Sequence, residues 1–221
     1  MLLVAALLLS ACGGEKPPEE NAAVILERAA ARIEQAKSYR FLLEFEGGTA
    51  EIARGLQMRR AEGVFAGIDN FDSQVLVSVG PIDARVGVRV VEGASWMTNP
   101  LTQRWEQTPL SVAQLFDLST GVTALMRSAA TPKITANETI EGVPVRRIDG
   151  ELPSERFTLL PGVPPGQTLK AAAWVGTQDD LVRRLEVSGR GAPFATAAGA
   201  EGKVRLTLSA FDEPVAIEAP R

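Results

Sequence analysis

Few side chains in this chain of 221 residues have the type and spacing for catalysis. Histidine is absent, which removes the usual general base near neutral pH and the usual zinc ligand. Glu44 and Glu46 are two apart on what reads as the outer face of a strand. Paired carboxylates can do acid–base work, but the sequence supplies neither a partner nor a cleft for them. Asp69, Asn70 and Asp72 have the composition of a calcium loop without its alternate-position spacing or its following glycine, so a solvated turn is the better reading. Asp179-Asp180 also reads as a turn. No G-x-S-x-G elbow, Ser-x-x-Lys pair, Walker loop or dinucleotide fingerprint occurs. We therefore expect no catalytic site, no cofactor and no metal. The single cysteine, Cys12, can form neither an internal disulfide nor a thiolate cluster.

Cys12 has another chemistry open to it. It follows Met1 to Leu9 (MLLVAALLL) and Ser10-Ala11, and precedes Gly13-Gly14. An apolar run this short does not span a bilayer, which takes roughly 20 residues. It has the length of a signal-peptide core ending in small residues, where a peptidase must fit. Leu9-Ser10-Ala11-Cys12 matches the lipobox of bacterial lipoproteins, whose cysteine thiol is alkylated with diacylglycerol and becomes the mature N-terminus. The competing reading is an ordinary signal peptide with an incidental cysteine. No Lys or Arg precedes the apolar run, which points either to a start upstream of Met1 or to a trimmed sequence. Residues 1–11 are thus expected to be removed, and 12–21 to form a lipidated tether. Gly13 to Asn21 (GGEKPPEEN) is polar and rich in proline and glycine, as a flexible spacer would be. The remainder, 22–221, is expected as one folded domain on the extracytoplasmic face of the cell membrane.

Composition agrees with a packed body. The chain is 45% apolar and 23% charged, which excludes disorder over most of its length. Lys+Arg 23 against Asp+Glu 27 gives a net charge of −4 with no basic block, so nucleic acid is not an expected partner.

Ala22 to Lys37 places Val24, Ile25, Arg28, Ala29, Arg32, Ile33 and Ala36 at helical spacing, and Asn21 can cap the start. From Tyr39 the period becomes two. Tyr39, Phe41, Leu43 and Phe45 alternate with more polar neighbours, and Val75–Val79, Ile82–Val90 and Val204–Ala210 do the same. These are one-faced strands of antiparallel habit. Weaker strands are expected near 50–58, 62–68, 94–98, 104–107, 133–139, 143–150, 168–175 and 182–188. Pro109 to Arg127 reads as two short helices broken around Ser119-Thr120-Gly121, and Glu151 to Leu160 as a further short helix. The fold class is α+β.

Several segments, in order, resemble the LppX/LprG/LprA/LprF family of actinobacterial envelope lipoproteins. After the lipobox, tether and helix comes a strand opening Ser38-Tyr39. Trp96 to Trp105 (WMTNPLTQRW) is similar to the family's aromatic and proline hairpin, and Glu141 to Gly150 (EGVPVRRIDG) to its glycine-bounded strand pair. Trp174-Val175 with Leu181 to Leu185, and the close Phe211 to Pro220, complete the series, although Gly176 to Asp180 departs from the usual turn. The resemblance implies a single strongly curved antiparallel sheet, a half-barrel with helices on its concave face enclosing an apolar cavity. The same architecture occurs in LolA-like lipoprotein carriers. It further implies binding of acylated lipids or glycolipids, carriage across the cell envelope, and a possible membrane-transporter partner. A regulatory or sensory lipoprotein that contacts a membrane protein is the alternative.

In such a fold Leu115, Val122, Leu125 and Met126 would form one cavity wall, and Phe41, Leu43, Val77, Val86 and Val88 the other. Each position would serve ordinary core packing equally well. Trp96 and Trp105 are better suited to pinning a hairpin than to holding a ligand.

Overall fold

The computed structural model describes residues 20–53, 55–67, 69–108, 120–160 and 162–220. Helix α1 spans Ala22–Gln35, and the Asn21 side chain accepts the Ala23 N–H at 2.9 Å, satisfying one of the free donors of the first turn. At 3.6 residues per turn, Ala22, Ile25, Leu26, Ala29, Ala30 and Ile33 share one face, and all six are buried. Val24 was expected on that face, but it sits one position off the stripe and is 49% exposed.

Twelve strands follow: β1 (Tyr39–Glu46), β2 (Ala50–Ala53), β3 (Leu56–Phe65), β4 (Asn70–Val79), β5 (Ile82–Val91), β6 (Ala94–Thr98), β7 (Trp105–Gln107), β8 (Ala130–Ile140), β9 (Val143–Pro153), β10 (Thr168–Gly176), β11 (Val182–Arg190) and β12 (Glu201–Ser209). Helix α2 (Thr120–Ser128) leads into β8. The described strands form one open antiparallel sheet in the order β7-β6-β5-β4-β3-β1-β12-β11-β10-β9-β8, with β2 pairing β3 beyond the end of β1. Consecutive hairpins build both halves. The long-range step is β12 returning beside β1, where Leu206 lies opposite Leu43.

That register makes the inner face continuous. One row runs Val86, Val75, Ala61, Leu43, Leu206, Leu185, Ala173, Ile148 across eight strands, each residue opposite the next. None of the eight is more than 5% exposed. Side chains alternate in a strand, so the opposite face must be polar or locally covered. Glu44 pairs with Arg60 at 2.9 Å, Asp72 with Arg89 at 3.1 Å, Glu186 with Arg205 at 2.6 Å and Asp149 with Arg147 at 2.9 Å. Glu44 and Asp72, two of the carboxylates considered for chemistry, are therefore members of cross-strand ion pairs. Trp174, with Val145 and Ile140, forms a small buried apolar cluster on this outer face. The guanidinium groups of Arg147 and Arg184 lie 5.1 and 5.4 Å from the Trp174 ring, and its Nε1–H donates to Glu138 at 2.8 Å.

Two expectations are corrected in detail. The strand expected over 50–58 is broken at Gly55, which turns the chain at φ +78°, so β2 and β3 form a hairpin. The helix expected over 151–160 is instead the end of β9 followed by a 3₁₀ turn at Ser154–Arg156. Leu152 sits opposite Leu169 and is fully buried, so strand pairing overrides the local helical spacing. Trp105 does fasten its hairpin. It pairs with Thr98, and its ring covers Gly87 so closely that a Cβ there would lie 2.7 Å from it.

Candidate functional site

The two helices pack on each other, α1 also against β8 and β10, α2 against β9 and the 3₁₀ turn. Between this layer and the sheet lies an apolar pocket. Its roof is Leu26 from α1 with Leu125, Met126 and Ala129 from α2 and the residue after it. Its floor is Ile148, Gly150, Ala171–Ala173, Leu185 and Val187. The cavity volume is about 20 Å³, room for roughly one water molecule. Glu186 borders the pocket between Leu185 and Val187, but its side chain alternates to the outer face, where its carboxylate is engaged by Arg205 and Lys203 at 2.6 and 3.1 Å. Burial pushes that carboxyl's pKa up, and the hydrogen bonds and charges of Arg205 and Lys203 more than reverse this, leaving it below the ordinary value.

Small side chains let the helices approach the floor closely, and ion pairs hold their margins. Arg127 of α2 binds Glu27 at 3.0 Å and also Glu34, which ties α2 to α1 and holds the Glu34 carboxyl below its usual range. Arg28 bonds Asp180 in the β10–β11 turn at 2.9 Å and also Glu20, and both contacts raise its pKa. The second oxygen of Glu20 meets Arg146 of β9 at 2.8 Å. Arg32 donates to the Asp179 carbonyl at 3.4 Å. Exposed pairs of this kind contribute about 0–1 kcal/mol each, so the apolar seam supplies most of the adhesion.

Of the residues singled out from sequence, Leu125 and Met126 line this pocket. Val122 lies on the same helix and is fully buried. Phe41, Leu43, Val77, Val86 and Val88 are on the inner sheet face, all at most 3% exposed, in the same core cluster but outside this pocket's lining. Leu115 and Cys12 lie outside the described residues. Leu26, Ile148, Ala171, Ala173, Leu185 and Val187 were not singled out. Their strands were legible, and the missing signal was which strands lie under the helices. Among the described residues no helix is long and apolar enough to cross a membrane. No group of three or more acidic or thiol side chains among them could hold a metal ion.

The architecture has solved counterparts. LprF from Mycobacterium bovis superposes with a TM-score of 0.68 at 14% identity, covering 90% of this chain and 96% of that one. The lipoprotein LppX from Mycobacterium tuberculosis gives 0.63 at 17%, covering 89% and 98%. A LolA superfamily protein from Nitrosomonas europaea is more distant, at 0.31 and 13% over 90% and 96%. No curated protein matches in sequence. The family model described as LppX_LprAFG lipoprotein matches residues 21–217, nearly the whole folded body, and the chain therefore belongs to the LppX_LprAFG lipoprotein family.

Proposed function

We propose that this protein is a membrane-anchored lipoprotein that binds acylated lipids or glycolipids between its helices and its sheet and carries them across the cell envelope. The observation that carries the reading is the uninterrupted apolar row across eight strands, roofed at one side by two helices over a floor in which glycine and alanine alternate with Ile148, Leu185 and Val187. An acyl chain needs no residue-specific chemistry, because methylene burial supplies about 25 cal/mol per Å² of apolar surface. Selectivity then falls to the shape of the seam and to the polar groups at its margin. A volume of about 20 Å³ admits no alkyl chain, so loading lifts the α1–α2 layer from the floor. Alkylation of Cys12 anchors the body on the extracytoplasmic face, with residues 13–21 as its leash. A membrane transporter is the expected partner in handing lipid on.

Native mass spectrometry tests the reading. The chain incubated with envelope lipid extract is expected to retain acylated species. Replacing Ala171 and Ala173 with tryptophan, which fills the floor, is expected to abolish retention. A chain that retains no lipid under either condition refutes the carrier function.

A further inference from the structure

Two of the most exposed large apolar side chains of the described residues stand on neighbouring hairpin tips. Leu101, in the turn between β6 and β7, is 88% exposed, and Ile82, at the turn between β4 and β5, is 63% exposed. The register puts both turns on the same rim of the sheet, since Val79 pairs with Ile82 and Thr98 with Trp105. Gln103 joins the tips by donating its side-chain N–H to the Arg85 carbonyl at 3.1 Å and to that of Pro100 at 3.1 Å. Asn99 fixes the protruding turn by accepting the Leu101 N–H at 3.0 Å. Leu101 is thus displayed on a built turn.

The charges around the tips are not neutral. Arg59 and Asp83 pair with each other at 3.4 Å, and Glu106 accepts from the Asn99 side chain at 3.3 Å. Arg85 and Arg104 are both exposed and have no ion-pair partner among the described residues. A convex apolar tip with free guanidinium groups at its base suits a soft, anionic surface. The apolar residues enter the acyl boundary while the arginines meet phosphate. A protein partner would instead need a preformed hole for each tip.

We propose that the Ile82 and Leu101 tips, with Arg85 and Arg104, form a second membrane contact that docks the body on an anionic lipid surface. It is separate from the tether, which joins the body at the opposite rim, where Glu20 meets Arg146 near the start of β9. The proposal stands whether or not the interior carries lipid, because its readout is local to the tips.

The test uses the full chain with Leu101→Trp, read as the difference from the unsubstituted chain with its own Trp96, Trp105 and Trp174. With mixed phosphatidylcholine and phosphatidylglycerol vesicles carrying brominated acyl chains, the added tryptophan is expected to shift to the blue and be quenched. Ile82→Trp should behave alike. Ile134→Trp, at an exposed apolar position on the β8 edge, should not respond. Arg85→Gln and Arg104→Gln are each expected to weaken partitioning about fivefold. Unshifted emission at both tips, equal quenching at position 134, or an undiminished response on pure phosphatidylcholine would each overturn the proposal.

Discussion

Leu26→Ala separates a ligand seam from an ordinary core. Leu26 is 3% exposed and roofs the pocket against Ile148 and Leu185. Removing about three methylene equivalents loses about 2.4 kcal/mol of transfer free energy. If the helix relaxes only in part and leaves about 50 Å³ of new void, the cavity adds about 1.2 kcal/mol at roughly 24 cal/mol per Å³. The expected loss is therefore about 3–4 kcal/mol, large against a total stability of about 5–15 kcal/mol. Leu152→Ala, on the fully buried inner face of β9 but outside this pocket, should lose a similar amount. Urea denaturation gives both values. The two variants should then diverge in the presence of a long-chain fatty acid. At a free concentration one hundred times its dissociation constant, a ligand seated in the enlarged seam returns about 2.7 kcal/mol to Leu26→Ala and nothing specific to Leu152→Ala. Equal recovery in both, or in neither, would show that the seam is not where an alkyl chain enters.

Other outcomes follow from single contacts. Gly202→Ala would place a Cβ 1.8 Å from the Phe194 carbonyl oxygen, so it should destabilise by about 3 kcal/mol or more, measured as a lowered Tm. Asn21→Ala removes the cap of α1 and should cost about 1 kcal/mol in urea denaturation, with Asn21→Ser recovering most of it. Glu186 is held below its ordinary pKa in the folded state, so its contribution is complete above the unfolded value of about 4.3 and is lost as pH falls through the lower folded value. Urea midpoints of Glu186→Gln should therefore lie closer to the parent at acid pH than at neutral pH. Cys12→Ala should move the protein from the membrane to the soluble fraction without changing its melting temperature, read by fractionation and circular dichroism.

The local pattern reveals strands well and their neighbours poorly. β1 and β6 were readable to the residue because alternation stops at glycine or proline on at least one side. Nothing in the stretch around Leu43 indicates that Leu206 will oppose it, because that pairing is set by closure of the two hairpin series onto each other. The same gap explains the site. Leu125 and Met126 were visible as bulky residues at helical spacing. The floor they cover includes Gly150, Ala171 and Ala173, residues with so little side chain that apolar periodicity barely registers them, beside Ile148, Leu185 and Val187. The rotated face of α1 is a smaller error with a plain cause. Val24 and Ala30 differ in hydrophobicity in the wrong direction, and position on the wheel decides burial.

The contrast between the two halves of the inner face bears on how loading works. Under β1, β3 and β4 the face is bulky, with Phe41 and Phe71 stacked at 5.5 Å and Met58 fully buried. Under the helices Gly150, Ala171 and Ala173 sit among Ile148, Leu185 and Val187, so only those three larger side chains interdigitate with α1 and α2 at the pocket. What an opening helix layer gives up is mainly apolar contact, and an incoming alkyl chain restores that same contact on both the roof and the floor. The net cost of opening is then set by the marginal ion pairs Arg28–Asp180 and Glu20–Arg146, each worth about 1 kcal/mol or less, and by the Arg32 hydrogen bond to the Asp179 carbonyl. Arg127 does not oppose the motion, since both its partners lie on α1 and travel with it. The proposed loading is in this respect an exchange of one apolar surface for another. A helix pair clamped internally and fastened weakly at its rim is the arrangement that keeps such an exchange cheap.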